Sequence, residues 1–336
     1  MATSQPPIAS PEIELTRGRE ETAPGAQDRA SLAPRVTVII VSYNTKGPLL
    51  DCLESLETER RTLPLDVIVV DNNSTDETPF AVATSFPWVH LLVNRENVGF
   101  ARAVNQGLEF STGDFVLLLN PDTIVPAGSI AASVQELANH PDTGMLGCKL
   151  VRPSGDFDHA AKRGFPTIAS ALYYFLGLSR RYPESPRLSQ YTASHLGIDE
   201  PGQVDAINGA FMLVRKEALV EVGAMDERYW LWAEDLDWCK RFWDQGWKVL
   251  YWPGVEVTHL KGASVGDHRS TRLNFAFHRS IWLFYAKHHA HEHSSLVSAI
   301  VWLGLWSKFV ASIVGNAVRR RAGGRGERHR HYGPAR

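Results

Sequence analysis

Phe115–Leu119 is five apolar residues without interruption, and it stops at Asn120-Pro121-Asp122. So short and uniform a run fits a strand covered on both faces, as in the sheet of an α/β protein. Pro121 has no N–H to give to a ladder, so the strand ends there. A carboxylate is then left at the carboxyl end of a central strand, where open α/β sheets bind their ligands. One acid on a rigid strand end is well placed to hold a hard divalent cation against a phosphate. Asn-Pro-Asp is equally a common turn, and on these residues alone both readings stand.

Other runs share this form. Residues 35–41 (RVTVIIV) break at Ser42-Tyr43-Asn44, and residues 66–70 (DVIVV) end in Asp71-Asn72-Asn73-Ser74-Thr75-Asp76. Residues 89–93 predict a third strand. Between the first two, Leu49, Leu50, Leu53 and Leu56 recur at helical spacing. Residues 99–107 predict a helix opened by Gly99 and closed by Gly107, and 129–138 another. Alternating strands and helices imply parallel pairing with right-handed crossovers, so the polar strand ends gather on one edge. No GxGxxG follows the first strand and no GxxxxGK[ST] occurs, which argues against a Rossmann dehydrogenase and a P-loop NTPase.

Residues 149–202 are rich in Pro, Tyr and Ser and show no periodicity; so long an insert suggests a binding region. Residues 208–214 resume the sheet and 216–222 form a short helix. Residues 229–238 (YWLWAEDLDW) place Glu234, Asp235 and Asp237 among Trp230, Trp232, Trp238 and, further on, Trp243. Rings around a carboxyl desolvate it, which raises its pKa toward general-base values, and indole faces offer a platform for sugars. If Asp235 begins a helix, Asp237 sits about 200° away, so the two need different jobs. An acid-decorated helix N-terminus is the plain alternative. Residues 249–252 and 255–258 read as strand pieces followed by His259, and 262–272 as a phosphate-friendly loop. Arg279 and Lys287, on a predicted helix, are candidates to face a diphosphate or, more blandly, solvent.

The 336 residues are 44% hydrophobic and 21% charged, which is ordinary globular composition. The net charge of -2 hides a basic tail: residues 319–336 hold seven Arg against one Glu. The remainder is therefore acidic, which argues against nucleic acid as a partner. Three scattered cysteines fit a reducing cytosol. Residues 1–34 lack the apolar core of a signal peptide and read as disordered.

In order, VSYN at 41–44, DNNSTD at 71–76, NVGFARAVNQG at 97–107, LLLNPD at 117–122, NGAFMLVRKEAL at 208–219 and WAEDLDW at 232–238 resemble the family 2 glycosyltransferases, in particular a bacterial rhamnosyltransferase-like branch of cell-wall and surface-polysaccharide assembly. The resemblance implies a GT-A fold: an α/β domain over 35–290, with a nucleotide-binding half over 35–125, an acceptor half over 126–290 and a Rossmann-like, mostly parallel sheet. A C-terminal helical extension (291–318) and a basic disordered tail (319–336) follow. It implies an inverting, metal-dependent enzyme using Mg2+ or Mn2+, a nucleotide-diphosphate sugar as donor and a glycan or polyprenyl-diphosphate-linked glycan as acceptor.

By position, the resemblance puts Ser42, Tyr43, Asn44, Asp71 and Asn72 around the base. Asn97, Gly99 and Asn105 fall at the donor-side helix, and Asn120 with the metal ligand Asp122 in the Asp-x-Asp position. It makes His259 a second metal ligand, Asp235 the catalytic base with Glu234 beside it, and Gly209 and Trp232 the acceptor side. Asn120 departs from the pattern, removing one anionic ligand. A sugar nucleotidyltransferase would share such a sheet but calls for a glycine- and lysine-rich first loop, where only Lys46 and Gly47 stand; a non-catalytic nucleotide-sugar-binding protein is the other alternative. Residues 296–314 are apolar enough to approach a bilayer span. Lys308, Ser312 and Gly315 share one face, so an interfacial helix at the inner face of the cell membrane, the arginine tail on anionic lipid, is the expectation; a core or subunit-interface helix is the alternative.

Overall fold

The computed structural model describes residues 34–260 and 270–326, with side chains to 315. Residues 1–33, most of the 262–272 loop and the end of the arginine tail lie outside them. In chain order the elements are β1 Val36–Ser42, α1 Lys46–Glu59, β2 Leu65–Asp71, α2 Thr78–Ser85, β3 His90–Val93, α3 Phe100–Glu109, β4 Phe115–Leu119, β5 Thr123–Ile124, α4 Ser129–Asn139 and β6 Thr143–Val151. Then come β7 Lys162–Arg163, α5 Ile168–Phe175, α6 Leu178–Arg181, β8 Gly202–Gln203, β9 Ala206–Ile207, β10 Phe211–Arg215, α7 Lys216–Val222, α8 Glu234–Asp244, β11 Lys248–His259, α9 Thr271–His288 and α10 Ser295–Gly326.

Among the described residues, one mixed sheet has the order β3-β2-β1-β4-β10-β6-β11-β5, with β8 paired to β11. β1, β2, β3 and β4 are parallel, and Ser42 pairs with Asp71, so these strands end level. The side chains of β1, β4 and the last five residues of β2 are buried on both faces, as the uniform apolar runs required, while the edge strand β3 is largely exposed. The sheet is mostly parallel, as expected; β10 is an exception, since it runs antiparallel to both β4 and β6. Its first residues therefore return to the edge where β4 ends: Leu119 pairs with Phe211, and Asn120 N donates to Ala210 O. β11 ends at the same edge, with His259 paired to Thr123 of β5. The two predicted pieces of β11 are one strand, its register shifting between Trp252 and Glu256.

α3 does not end at Gly107. A Cβ there would come 2.6 Å from Ile39 Cγ2, so this glycine lets the helix lie close on β1 and is no terminator. The insert expected to be irregular opens inside β6, which the sequence reading missed, and carries β7, α5 and α6. α10 runs past the expected boundary at 318, into the segment expected to be disordered.

Candidate active site

Ser42 and Asp71, level on β1 and β2, are buried. Asn44 adopts φ +52°, a conformation asparagine tolerates, and its Oδ1 accepts from Thr75 N at 2.7 Å. Asn44 N donates to Ser74 Oγ, and Ser74 N to Asp71 Oδ1 at 2.9 Å. The two loops thus brace each other, with the Tyr43 ring exposed beside them. Asp71 Oδ2 is buried without a partner, and burial raises its carboxyl above the usual range. That oxygen is short of one donor, which the N–H of a nucleobase can supply.

Asn72 Nδ2 donates to Gly99 O at 3.0 Å, and Asn97 Oδ1 accepts from Gly99 N. Gly99 has φ +92°, and a Cβ on it would sit 2.6 Å from the Trp230 ring. Phe100 N donates to Trp230 O at 2.7 Å. Asn72, Asn97 and Gly99 thus bind the end of β2 to the loop leading into α8. Asn105 lies on the donor-side helix α3. Its Nδ2 and Oδ1 bond the backbone of Met225 at 2.9 Å each, which commits the amide to holding the loop after α7.

Beyond β4, Asn120 O accepts from Thr123 Oγ1, and Asp122 is buried. Leu260 N donates to Asp122 O at 2.8 Å, which brings the end of β11 alongside. His259 Nε2 then lies 3.4 Å from Asp122 Oδ1, and its Nδ1 lies 3.2 Å from Asp158 Oδ2. Burial pulls the imidazole pKa down, but the hydrogen bonds and charges of Asp122 and Asp158 outweigh it and carry it up to about 9. No group of three or more His, Cys, Asp or Glu poised around a metal occurs among the described residues. The donor set is one carboxylate and one imidazole oriented from behind by a second carboxylate. Such sparse protein ligation suits Mg2+ or Mn2+, which take the rest of their oxygens from substrate phosphates and water.

At the other pole, Trp232 and Ala233 both have positive φ, +67° and +64°, and Ala233 caps α8. Two consecutive left-handed non-glycine residues are strained and need an imposed geometry. Asp235 Oδ1 accepts from Leu236 N at 2.8 Å, and Oδ2 accepts from Arg163 Nη2. Arg163 pairs through its backbone with Ala206 of β9, a few residues ahead of the Asn208–Ala210 turn that meets Asn120. Asp122 and Asp235 are thereby linked through one series of contacts, by way of Arg163, β7, β9 and the turn that meets Asn120. Glu234, beside Asp235, keeps a buried Oε2 without a partner; burial and then the Asp235 charge push its carboxyl up to about 8.

Asp237 has the separate job that its angular position required. It accepts from Arg241 Nε at 3.0 Å and lies 2.7 Å from both Lys287 Nζ and His288 Nε2. That cluster ties α8 to α9 and engages Lys287, a candidate by sequence for a diphosphate or for solvent; Arg279, the other such candidate, is exposed and donates to Arg228 O. Trp238 and Trp243 are likewise structural, each donating its indole N–H to backbone carbonyls. Trp232 sits edge-on to Phe277. Gly209 is buried, yet a Cβ there would meet only Phe100 Cζ, at 4.0 Å. Lys46, the one lysine of the first loop, bonds Glu77, away from a nucleotidyltransferase role.

Sequence reasoning missed Asp158 and Arg163. Both lie on residues 158–163, a strap from the His259 pole to the Asp235 pole, inside the stretch without periodicity. The unassigned charges of DHAAKR were the only signal there.

The sequence matches Glycosyl transferase family 2 over residues 37–219, more than half of the chain. It is 33% identical over 269 residues to the N-acetylglucosaminyl-diphospho-decaprenol L-rhamnosyltransferase of Mycobacterium tuberculosis, covering 75% of this chain and 84% of that one. It is 24% identical to the O-antigen biosynthesis protein RfbC of Myxococcus xanthus, covering 75% of this chain and 19% of that one. Among solved structures, the mannosyltransferase PcManGT from Pyrobaculum calidifontis, in complex with GDP-Man and Mn2+, matches with a TM-score of 0.53 at 21% identity, covering 88% of this chain and 81% of that chain. That likeness establishes the GT-A fold. The chain belongs to glycosyl transferase family 2, and it is a glycosyltransferase of the rhamnosyltransferase-like kind.

Proposed function

We propose that this enzyme moves a rhamnosyl group, with inversion, from a deoxythymidine diphosphate donor to a glycan carried on a polyprenyl diphosphate, in cell-wall or surface-polysaccharide assembly. The observation that carries the reading is the pair of buried carboxylates, Asp122 with His259 at the end of β11 and Asp235 with Arg163 at the start of α8, linked through β7, β9 and the Asn208–Ala210 turn. The 33% identity to an enzyme named for a lipid-diphosphate acceptor supports the choice of substrates.

In this reading Ser42, Tyr43 and Asn44 line the base, and the unpaired oxygen of Asp71 accepts its N–H. Asp122 and His259 would hold Mg2+ or Mn2+, whose charge would offset that of the diphosphate leaving group. Asn120, two residues before Asp122, would hydrogen-bond the donor. The acceptor hydroxyl enters between Gly209 and Trp232, and Asp235 takes its proton as the oxygen attacks the anomeric carbon. The bond from that carbon to the diphosphate oxygen breaks, and its electron pair leaves with the diphosphate. Arg163 keeps Asp235 oriented, and Glu234 stays protonated near neutral pH, so two adjacent negative charges do not compete.

Ser295–Gly315 is long and apolar enough to cross a membrane by length and composition. α10 nevertheless packs along α9: Asn274 Nδ2 donates to Ser312 Oγ, Phe275 meets Trp306 and Phe309, and Tyr285 Oη lies 3.1 Å from Ser298 Oγ. A spanning α10 would pull α9, with Lys287 and His288, toward the hydrocarbon. A helix lying in the inner membrane surface, with the enzyme in the cytoplasm, fits this packing better.

The test is turnover of a panel of nucleotide sugars against a synthetic polyprenyl-diphosphate N-acetylglucosamine, with and without Mn2+. Rhamnosyl transfer to that acceptor is expected, lost on Asp235→Ala while nucleotide binding persists. Transfer from another donor, with none from the rhamnose donor, would refute the assignment.

A further inference from the structure

α5 is inverted. A helix on a soluble domain turns its apolar side inward. Here the buried residue is Ser170, while Leu172, Phe175 and Leu176 are 53%, 66% and 63% exposed. The inversion is not fraying: Thr167 and Ser170 form a reciprocal capping box, and Phe165, just upstream, packs on Phe284 of α9. Arg180, Arg181 and Arg187 follow within a dozen residues, all exposed.

The same side of the molecule carries a second apolar surface. On α10, Leu296, Ile300, Leu303, Val310 and Val314 are exposed at spacings of four, three, seven and four, which is a single stripe. A groove lined by Leu303, Trp306, Ser307, Val310 and Ala311 lies along it. The two surfaces meet where Lys308 Nζ lies 4.5 Å from the centroid of Phe175.

We propose that α5 and the outward stripe of α10 form one composite surface that docks on an anionic lipid bilayer, with Arg180, Arg181 and Arg187 on the headgroups. It rests on the peripheral membrane placement of α10 proposed above and adds a second contact to it. Apolar side chains flanked by arginines are what an anionic membrane interface selects, since burial and charge attraction add. The arrangement has a purpose in catalysis. Arg163, which holds Asp235, is separated from α5 by four residues, and Phe165 N is fixed to Asp205 at 2.9 Å. A surface gripping lipid at α5 thus sets the height of the catalytic carboxylate above the bilayer, where a lipid-borne acceptor presents its hydroxyl.

The experiment is flotation of the full chain with vesicles of phosphatidylcholine alone or mixed with phosphatidylglycerol. Wild type is expected to float with the anionic vesicles. Leu172→Ser with Phe175→Ser and Leu176→Ser should lower the partition coefficient at least ~10-fold, with donor hydrolysis unchanged as proof of folding. Arg180→Ala with Arg181→Ala and Arg187→Ala, which keeps the apolar residues, should lower anionic binding ~10-fold and flatten its salt dependence. If the α5 variant floats like wild type while Leu296→Ser with Ile300→Ser and Leu303→Ser does not, the composite surface is refuted and the α10 placement stands. If wild type fails to float, both fall. If wild type sediments as a dimer that the α5 substitutions dissociate, with vesicle binding unchanged, the surface belongs to a second copy and the proposal is overturned.

Discussion

Arg163 Nη2 donates to Oδ2 of Asp235 across 72 residues of sequence, from a two-residue strand to the first turn of α8. The side chain is largely buried and its Nε has no partner, so its orientation depends on that carboxylate. Removing one member of a buried pair leaves the other uncompensated, at about 3 kcal/mol. Arg163→Ala should lower stability by that order and reduce kcat about tenfold while the donor Kd stays put. Arg163→Lys should recover stability more than rate, since an ammonium lacks the planar fork. Denaturant melts beside steady-state kinetics check this; a weakened donor Kd would move Arg163 to the nucleotide side.

His259 has an imidazole carried up to about 9, against an ordinary value of 6.5. In the metal-free protein the stability tied to this proton is complete below about 6.5 and disappears as pH rises through 9. To ligate a cation the ring must give up the proton, so Mn2+ binding at pH 7 to 8 should release about one proton and tighten toward pH 9. Calorimetry in buffers of different ionisation enthalpy reads this directly. An enthalpy independent of buffer would remove His259 from the metal site. Asp158→Asn should weaken Mn2+ by about 10- to 100-fold, because it orients the ring from behind.

Glu234 holds its proton to about 8 in the folded protein and to about 4.5 when unfolded. Stability linked to that proton is therefore full below about 4.5 and lost as pH climbs through 8. Glu234→Gln keeps the shape and has no proton to lose. Its Tm should match wild type near pH 5 and exceed it by several degrees at pH 9. Parallel Tm profiles across that range would show that the buried carboxyl is already relieved by another group.

Gly209 and Gly99 make opposite predictions. Gly209→Ala makes only an ordinary contact with Phe100, so Tm should barely move while the acceptor KM rises about tenfold. Gly99→Ala forces a Cβ into Trp230 at positive φ, so it should destabilise by about 2 kcal/mol or more. A Gly209→Ala enzyme with an unchanged acceptor KM would place the acceptor elsewhere.

The apolar runs of β1, β2 and β4, each ending in polar residues, carried enough local pattern to announce a buried sheet with a working edge. Period and burial are properties of neighbouring residues, and the ordered motifs from Ser42 to Asp235 add the family. What neighbouring residues cannot encode is which distant groups meet. β10 enters antiparallel because the chain folds back across β4, and only that reversal puts Gly209 beside Asn120. Asp158 and Arg163 gain their partners through contacts spanning 101 and 72 residues, from a stretch with no period to read. Asn105 and Lys287, candidate ligands by sequence, also hold segments together, Asn105 through the Met225 backbone and Lys287 through Asp237. Local chemistry is written along the chain, whereas burial, pairing and charge compensation depend on which segments the compact fold brings together.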